Sequence, residues 1–480
     1  MRTRTMALVL GLALLAACGQ KPGISRDFTE GMLPAGATVN EQGQIVDAEG
    51  NVIGEVPEGS DVSSFGQVTG AGPAPAEVAG GDAGGGTAPG AAPGEAPPVG
   101  ANSTGVTDDM ITIGAHAPLT GAAPVPSDSA HKGNALLWEW LERNERRIHG
   151  RRVTTTLKND NYNPSQAVAV CKEMVEKDRV FLLYGFAGTD QIQACARYAA
   201  SVAVPYVSVG VTEVGLTNLP NYFALSLSYP EQGPMLVDYL VTKLAAKGER
   251  NGMLRFDTPN FEDAHAAFVD AARERGIELV YDRAVSKNAT QAEANTVVQE
   301  MKAHDLDNVY VLTSPVWFLQ VLQASKTQSF EPQWTGVGIT KTLDTVASVG
   351  CRNGTLNKAK FFSPFPAWAD MDRFDPEFGR AVDTIYPEEN GGDDIMVIPW
   401  GMEKIMVGMF EAAGRDLTRE SFVRASERIK NLDTEVYPTV AFSPTDHFGG
   451  SAVHVNEAHC SGYKTGDNRW HTIMSFVSDF

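Results

Sequence analysis

The sequence predicts an α/β protein with two doubly wound parallel-sheet lobes, preceded by a disordered tether. Three observations carry that expectation. From Val106 to Phe480, short strand-like apolar runs alternate with longer runs of helical period, the pattern of βα units and parallel sheets. Strands such as Val180-Phe181-Leu182-Leu183 are nearly continuous in apolar residues, so both faces of their sheet are covered. The alternation then restarts near Gly233, which makes two series and therefore two lobes.

In chain order, the first series predicts a strand over 111–115, a helix over 130–144 and a strand over 153–157. A helix comes next over 165–177, with Ala167, Val168, Cys171, Met174 and Val175 at helical spacing. A strand over 180–184, a helix from Asp190 and a strand over 205–209 complete that series. The second predicts helices over 233–246, 262–275, 292–304 and 316–325, with strands over 252–256, 279–285 and 308–312 between them.

The N-terminal hundred residues have another texture. Arg2 and Arg4 precede an apolar run from Met6 to Leu15, and small residues lead to Cys18: a secretory signal peptide over 1–17. Leu15-Ala16-Ala17-Cys18 resembles the bacterial lipobox, which implies acylation of Cys18 and anchoring to a membrane surface through lipid chains. Residues 69–101 are almost entirely Gly, Ala and Pro, with nothing to bury. Residues 44–54 read as a small hairpin, two β-rich runs around a turn. Residues 18–105 are thus a lipid-anchored tether, whose span as a flexible coil is about 50 Å.

Acidic residues outnumber basic ones 59 to 39, for a formal charge of −20, and no basic cluster offsets it. That excludes nucleic acid, whose phosphates need a basic surface. No internal run reaches the ~20 apolar residues of a membrane-spanning helix. Past Cys18 the cysteines are Cys171, Cys195, Cys351 and Cys460, which in an exported protein read as two disulfides with three possible connectivities. Cys171 and Cys195 fall on consecutive helices of one βαβα unit, which favours Cys171–Cys195 and leaves Cys351–Cys460 by elimination.

Two loops offer chemistry. Tyr184-Gly185-Phe186-Ala187-Gly188-Thr189-Asp190 leaves a buried strand and enters a helix, placing glycine backbone and a hydroxyl at the helix's positive end. Ser208-Val209-Gly210-Val211-Thr212 trails the next strand in the same way. Such loops suit an anionic group, but glycines and a capping Thr or Asp equally serve an ordinary strand-to-helix turn, so on their own both readings stand.

Ile111-Thr112-Ile113-Gly114 followed by Pro118-Leu119-Thr120-Gly121 resembles the opening of the type I periplasmic solute-binding proteins, the Leu/Ile/Val-binding group. Asn159-Asp160-Asn161-Tyr162-Asn163-Pro164-Ser165-Gln166 and Tyr229-Pro230-Glu231-Gln232-Gly233 carry the same likeness, in the same order and spacing, from about Asp109 to Phe480. The resemblance implies two lobes joined by three crossovers that close on a small ligand by hinge motion. It assigns lobe I to 106–228 plus 362–437 and lobe II to 229–361 plus 438–480, with hinges near 227–229, 362–366 and 437–439. Carried over residue by residue, it places carboxylate binding on Thr189 and Thr212, a backbone contact near Gly210, and cleft aromatics at Phe261 and Trp317. Of its two amino-group acids, one aligns with Tyr229 and the other with Thr335-Gly336-Val337-Gly338-Ile339, which has no acid. Tyr162, Phe186 and Trp400 are further aromatics expected near the cleft.

The resemblance and the export signal together imply an extracytoplasmic solute-binding lipoprotein on the outer face of the membrane. It takes an amino acid, amide or aromatic or aliphatic carboxylate between its lobes and delivers it to the permease and ATPase subunits of an ABC importer. A ligand-sensing surface receptor of the same fold is the alternative. No cofactor is expected. The chain has no G-x-S-x-G elbow, P-loop or H-E-x-x-H, so enzyme classes lack support. His447, His454, His459 and His471 fit no zinc spacing, and Asp393-Asp394 reads as a solvated loop ahead of a helix.

Overall fold

The computed structural model describes residues 38–39, 44–46, 52–55, 102–338, 343–460 and 468–480. Cys18 and the Gly/Ala/Pro-rich run lie outside these residues. The chain divides into two units, Met1–Ala91 and Ala92–Phe480. In the first, β1 (Thr38–Val39), β2 (Gln44–Val46) and β3 (Val52–Glu55) form an antiparallel sheet in that order. The hairpin expected over 44–54 is β2–β3, and β1 adds the third strand that a lone hairpin lacks.

The second unit opens with β4 (Met110–Ala117), α1 (Ser127–Arg143), β5 (Arg152–Asn159), α2 (Pro164–Glu176), β6 (Leu182–Gly185), α3 (Thr189–Ser201), β7 (Tyr206–Ser208) and β8 (Tyr222–Ala224). Their five strands make an all-parallel sheet in the order β5-β4-β6-β7-β8, the core of lobe I. Every residue of β6, β7 and β8 is buried, as apolar runs covered on both faces require.

Lobe II continues with α4 (Tyr229–Lys243), β9 (Asn251–Phe256), α5 (Glu262–Arg275), β10 (Leu279–Val285), α6 (Gln291–Ala303), β11 (Asn308–Leu312), α7 (Pro315–Gln328), β12 (Gln333–Val337), α8 (Asp344–Asn353) and β13 (Lys360–Ser363). The chain then returns to lobe I through α9 (Met371–Phe374), α10 (Pro376–Ile385), α11 (Asp394–Ala413) and α12 (Arg419–Ser426), with α10 and α11 packed on α1. Most of α11 is buried around its whole circumference, which explains its apolar sequence. Finally β14 (Val453–Cys460) and β15 (Asn468–Val477) extend the second sheet, ordered β10-β9-β11-β12-β13-β14-β15, as an antiparallel pair beyond five parallel strands.

Both expected disulfides are present. Cys171–Cys195 joins α2 to α3 with Cα atoms 6.1 Å apart, and Cys351–Cys460 joins α8 to β14 at 5.0 Å.

The crossovers sit partly elsewhere than expected. The first, residues 225–228, leads from β8 into α4. The second falls after Phe362-Ser363-Pro364-Phe365-Pro366, because β13 belongs to the lobe II sheet and Asp370 still accepts the Thr472 N–H of β15. The third falls near 449–452 rather than 437–439, because Ala224 of lobe I exchanges backbone hydrogen bonds with His447 and Gly449. Gly210 and Gly450 press on the first crossover from two directions: a Cβ on residue 210 would stand 2.1 Å from the Ser226 carbonyl, and one on residue 450 would stand 1.9 Å from the Leu227 nitrogen. Only glycine admits backbone that close.

Candidate functional site

Each sheet grows in both directions from its first strand: β4 lies between β5 and β6, β9 between β10 and β11. At those switch points the loops leaving the carboxyl ends diverge and open a crevice. The crevices of the two lobes meet in one cavity. Lobe I contributes Pro118, Val125, Tyr162, Gly188, Thr189 and Val211, and the other side is formed by Tyr229, Phe261, Ser314 and Pro315. The cavity volume is about 50 Å³. A bigger hollow of about 390 Å³ lies on the flank of lobe I among Leu137, Leu141, Val407 and Leu432, away from the strand ends and lined by one lobe alone.

The cavity wall is apolar with a few hydroxyls. Among the described residues no charged side chain lines it. Four helices start there, and their N-termini differ. On α5, whose N-cap is Phe261, no side chain caps the start, and Glu262 and Asp263 stand in its first turn. Ser228 and Glu231 close a capping box on α4, and Ser314 accepts the Trp317 N–H at the start of α7. No side chain caps α3, whose first turn begins at Gly188 with φ +84°. The positive end of that helix dipole therefore faces the cavity beside the Thr189 hydroxyl. Burial pushes the Tyr229 phenol up to about 12, with its hydrogen bond to Thr189 pulling the other way. The Tyr162 phenol is raised as well, first by burial and then by the Asp190 carboxylate.

Thr189, Tyr229 and Phe261 thus come together in the cavity, with the Tyr229 and Phe261 rings 6.0 Å apart. Gly210, Thr212 and Trp317 lie outside its lining. Gly210 donates its N–H to Ser226 and packs on the crossover. The Thr212 hydroxyl donates to Asp263 at 3.0 Å and accepts the Val214 N–H. Trp317 is buried against Phe256, ring centroids 5.7 Å apart, in the body of lobe II. Phe186 and Trp400 are core residues, the latter donating its indole N–H to Asp375.

Carboxylates stitch the lobes around the cavity. Asp190 of lobe I receives Lys287 at 2.9 Å and Asn260 from lobe II. Asp263 of lobe II receives the Thr212 hydroxyl and the Glu213 N–H, the latter at 2.9 Å. Asp394 of lobe I accepts the Asp344 N–H of lobe II at 2.7 Å. Asp393-Asp394 is therefore not a solvated loop: Asp393 caps α11, and Asp394 is buried in the seam, its carboxyl raised well above the usual range by burial.

A buried triad also escaped sequence reasoning. His116 in β4 contacts Asp160, just past β5, at 2.8 Å and the hydroxyl of Tyr206, the first residue of β7, at 2.6 Å, reaching across the intervening β6. Its members are 90 residues apart at the extremes, so no local motif announces them. Of the late histidines, His447 bonds the Tyr222 carbonyl, His454 the Val436 carbonyl, and the His459 and His471 rings lie tilted against each other with centroids 4.6 Å apart. Among the described residues the only grouping of metal-ligand type is His116 with Cys171 and Cys195, whose sulfurs form the disulfide.

Residues 110–462, nearly the whole two-lobed unit, match the periplasmic binding protein family. The chain belongs to that family. It is a family of solute-binding proteins rather than enzymes, and it implies export. Residues 35–71, which include β1–β3, match a family of unknown function. Curated proteins yield no match. Among solved structures, a fatty acid ABC transporter substrate-binding protein from Thermomonospora curvata superposes with a TM-score of 0.67 at 16% identity, covering 79% of this chain and 95% of that one. A solute-binding protein of an ABC transporter from Rhodopseudomonas palustris BisB5, in complex with 3,4-dihydroxy benzoic acid, gives 0.64 at 16% identity over 78% and 99%. A branched chain amino acid ABC transporter protein from Thermus thermophilus with bound valine gives 0.62 at 15% over 78% and 96%. Identities this low establish the shared two-lobed fold of the periplasmic binding proteins. Among the described residues no helix is long and apolar enough to cross a membrane.

Proposed function

We propose that this periplasmic binding protein is a lipoprotein anchored through Cys18 that captures a small organic ligand between its lobes and hands it to an ABC importer. The observation that carries the reading is the cavity at the paired switch points, walled by both lobes, with a bare helix N-terminus at one end and apolar side chains elsewhere. A ligand with a polar end and an apolar body suits that wall. A free amino acid suits it less, because a desolvated ammonium needs a carboxylate and none lines the cavity among the described residues. Small aliphatic or aromatic acids and amides are the class we favour, with Thr189 and the start of α3 at the polar end and Phe261 over the body.

The test is a thermal-shift screen of amino acids, amides and aliphatic and aromatic acids against the mature protein. A ligand at 100 times its dissociation constant adds about 2.7 kcal/mol of stability, and scattering should then show a smaller radius of gyration as the lobes close. A ligand that stabilises without compaction would leave a rigid pocket and remove the hinge. Cys18→Ser should release the protein from detergent-phase partitioning, and unchanged partitioning would remove the anchor.

A further inference from the structure

We propose that the side-chain amide of Gln191 is a ligand-binding group, contacting the carbonyl end of a small carboxylic acid or carboxamide. The proposal rests on the reading of the cavity as a ligand site and adds to it the group that recognises the ligand's polar end. Gln191 is 0% exposed, yet neither its Oε1 nor its Nε2 has a hydrogen-bond partner in the protein. Buried amides are nearly always satisfied, and leaving both atoms without a partner is destabilising.

The position of that amide points to what satisfies it. Gln191 is the third residue of α3, and its side chain folds back over the helix start, with Oε1 2.4 Å from where a Cβ on residue 188 would be. Residue 188 is a glycine lining the cavity, so no side chain separates the amide from that space. Two other hydroxyls of this wall are engaged: Thr189 with the Tyr229 phenol, Ser314 with the Trp317 N–H. The unsatisfied amide thus lies against Gly188, one residue behind the cavity wall at the uncapped helix start.

The chemistry of the amide sets the ligand class. Nε2 donates and Oε1 accepts. A carboxylate or a carboxamide can each receive the Nε2 proton on its carbonyl oxygen, and only the carboxamide can return an N–H to Oε1. The apolar body of either then runs along Pro118, Val125, Phe261 and Pro315.

Gln191→Met keeps the length of the side chain and removes both polar atoms. Hexanoate, hexanamide, benzoate and benzamide are the probes, titrated calorimetrically into the mature wild-type and variant proteins, and the ligand-free melting temperatures are compared. The expected result is a loss of about tenfold in affinity for the tightest probe, with the ligand-free variant melting at or above the wild type because two orphaned buried atoms are gone. Preference for the amide of a pair means both atoms of Gln191 are engaged, and preference for the acid means Nε2 alone. Equal affinity in both proteins would overturn the proposal, as would a ligand-free variant melting roughly 3 °C or more below wild type, the mark of an amide serving structure. If no probe binds the wild type, the reading of the cavity fails for this ligand class, and the melting comparison still decides the role of Gln191.

Discussion

In lobe I the cleft wall is built on the bare start of α3, the Thr189 hydroxyl and the Tyr162 phenol; in lobe II it is Phe261, Pro315 and the capped start of α7. Both walls stand at the carboxyl ends of sheets wound in the same order about their first strand, so topology does not distinguish them. The side chains at the helix starts do. Each lobe brings one uncapped start to the cavity, α3 in lobe I and α5 in lobe II, but α3 enters beside the Thr189 hydroxyl and α5 at the Phe261 ring, while Ser314 caps α7. Lobe I is thus equipped to hold a polar group and lobe II to cover it. The lobes also differ in reinforcement, since lobe II carries two appended antiparallel strands and the disulfide that closes the longer loop.

That difference in reinforcement predicts the largest effects. Cys351 and Cys460 are 109 residues apart and Cys171 and Cys195 are 24 apart. Chain entropy assigns about 4.8 kcal/mol to the first bridge and about 3.5 kcal/mol to the second. Paired Cys→Ala variants, unfolded in denaturant, should rank in that order. The reverse order would mean that lobe I depends more on its staple than lobe II does. Next comes Gly210→Ala in lobe I. Its Cβ would meet the Ser226 and Leu227 carbonyls, backbone that cannot yield without moving the crossover. A loss of about 3 kcal/mol is expected, together with a changed radius of gyration. Loss of ligand binding with stability and shape intact would instead return Gly210 to a direct contact.

These positions also mark what was legible in the sequence. The alternation of apolar runs, the two lobes and the cysteine pairing follow local periodicity, which a single chain displays. Thr189, Tyr229 and Phe261 line the cavity, each within a residue or two of an element boundary. Thr212 has the same local look as Thr189, a hydroxyl after a strand and a glycine. What separates them is Asp263, 51 residues downstream on the other lobe, which engages one hydroxyl and not the other. Trp317, equally near a helix start, packs on Phe256 outside the lining, because its rotation about the helix axis is set by packing that spacing does not display. Gln191 carried no signal at all, since an unsatisfied amide is defined by the absence of neighbours in space.

Protonation gives an intermediate effect, and within lobe II two buried groups pull in opposite directions. His454 in β14 is buried and held down to about 3, chiefly by burial, with the Val436 carbonyl opposing. Because that carbonyl can only accept, Nε2 carries the proton and the ring is neutral. The unfolded chain takes up a proton below about 6.5 that the folded one refuses until about 3, so stability falls as pH drops through that window, by roughly 1.4 kcal/mol per unit. Asp344 runs the other way. Burial raises its carboxyl to about 6, so the folded state keeps a proton the unfolded state loses from about 3.8 upward, and its contribution, full in acid, is lost as pH rises to 6. Asp394 and Glu403, also raised by burial, act in the same sense as Asp344, so the His454 contribution is read as a difference. In thermal melts, the stability of the wild type relative to His454→Asn should fall as pH drops from 7 to 4. A difference that stays constant with pH would place the acid sensitivity elsewhere.

The smallest effects bear most directly on the division between gripping and covering. Phe261→Ala removes an aromatic face from the lobe II wall, and about 2 kcal/mol of affinity should go with it, roughly thirtyfold. Thr189→Val keeps the shape and removes one hydroxyl, for about 1.5 kcal/mol, or tenfold. Magnitude alone does not discriminate, because either loss fits either role; the rates do. A ligand that first docks on lobe I and is then covered meets Phe261 only after closure, so Phe261→Ala should leave association nearly unchanged and speed release. Thr189 contacts the ligand in the open state, so its loss should also weaken the first encounter complex, and a lower saturating observed rate or a weaker fast phase should appear in stopped-flow binding. If Phe261→Ala slows association while Thr189→Val leaves it untouched, the ligand lands on lobe II first, and the bare start of α3 closes over it.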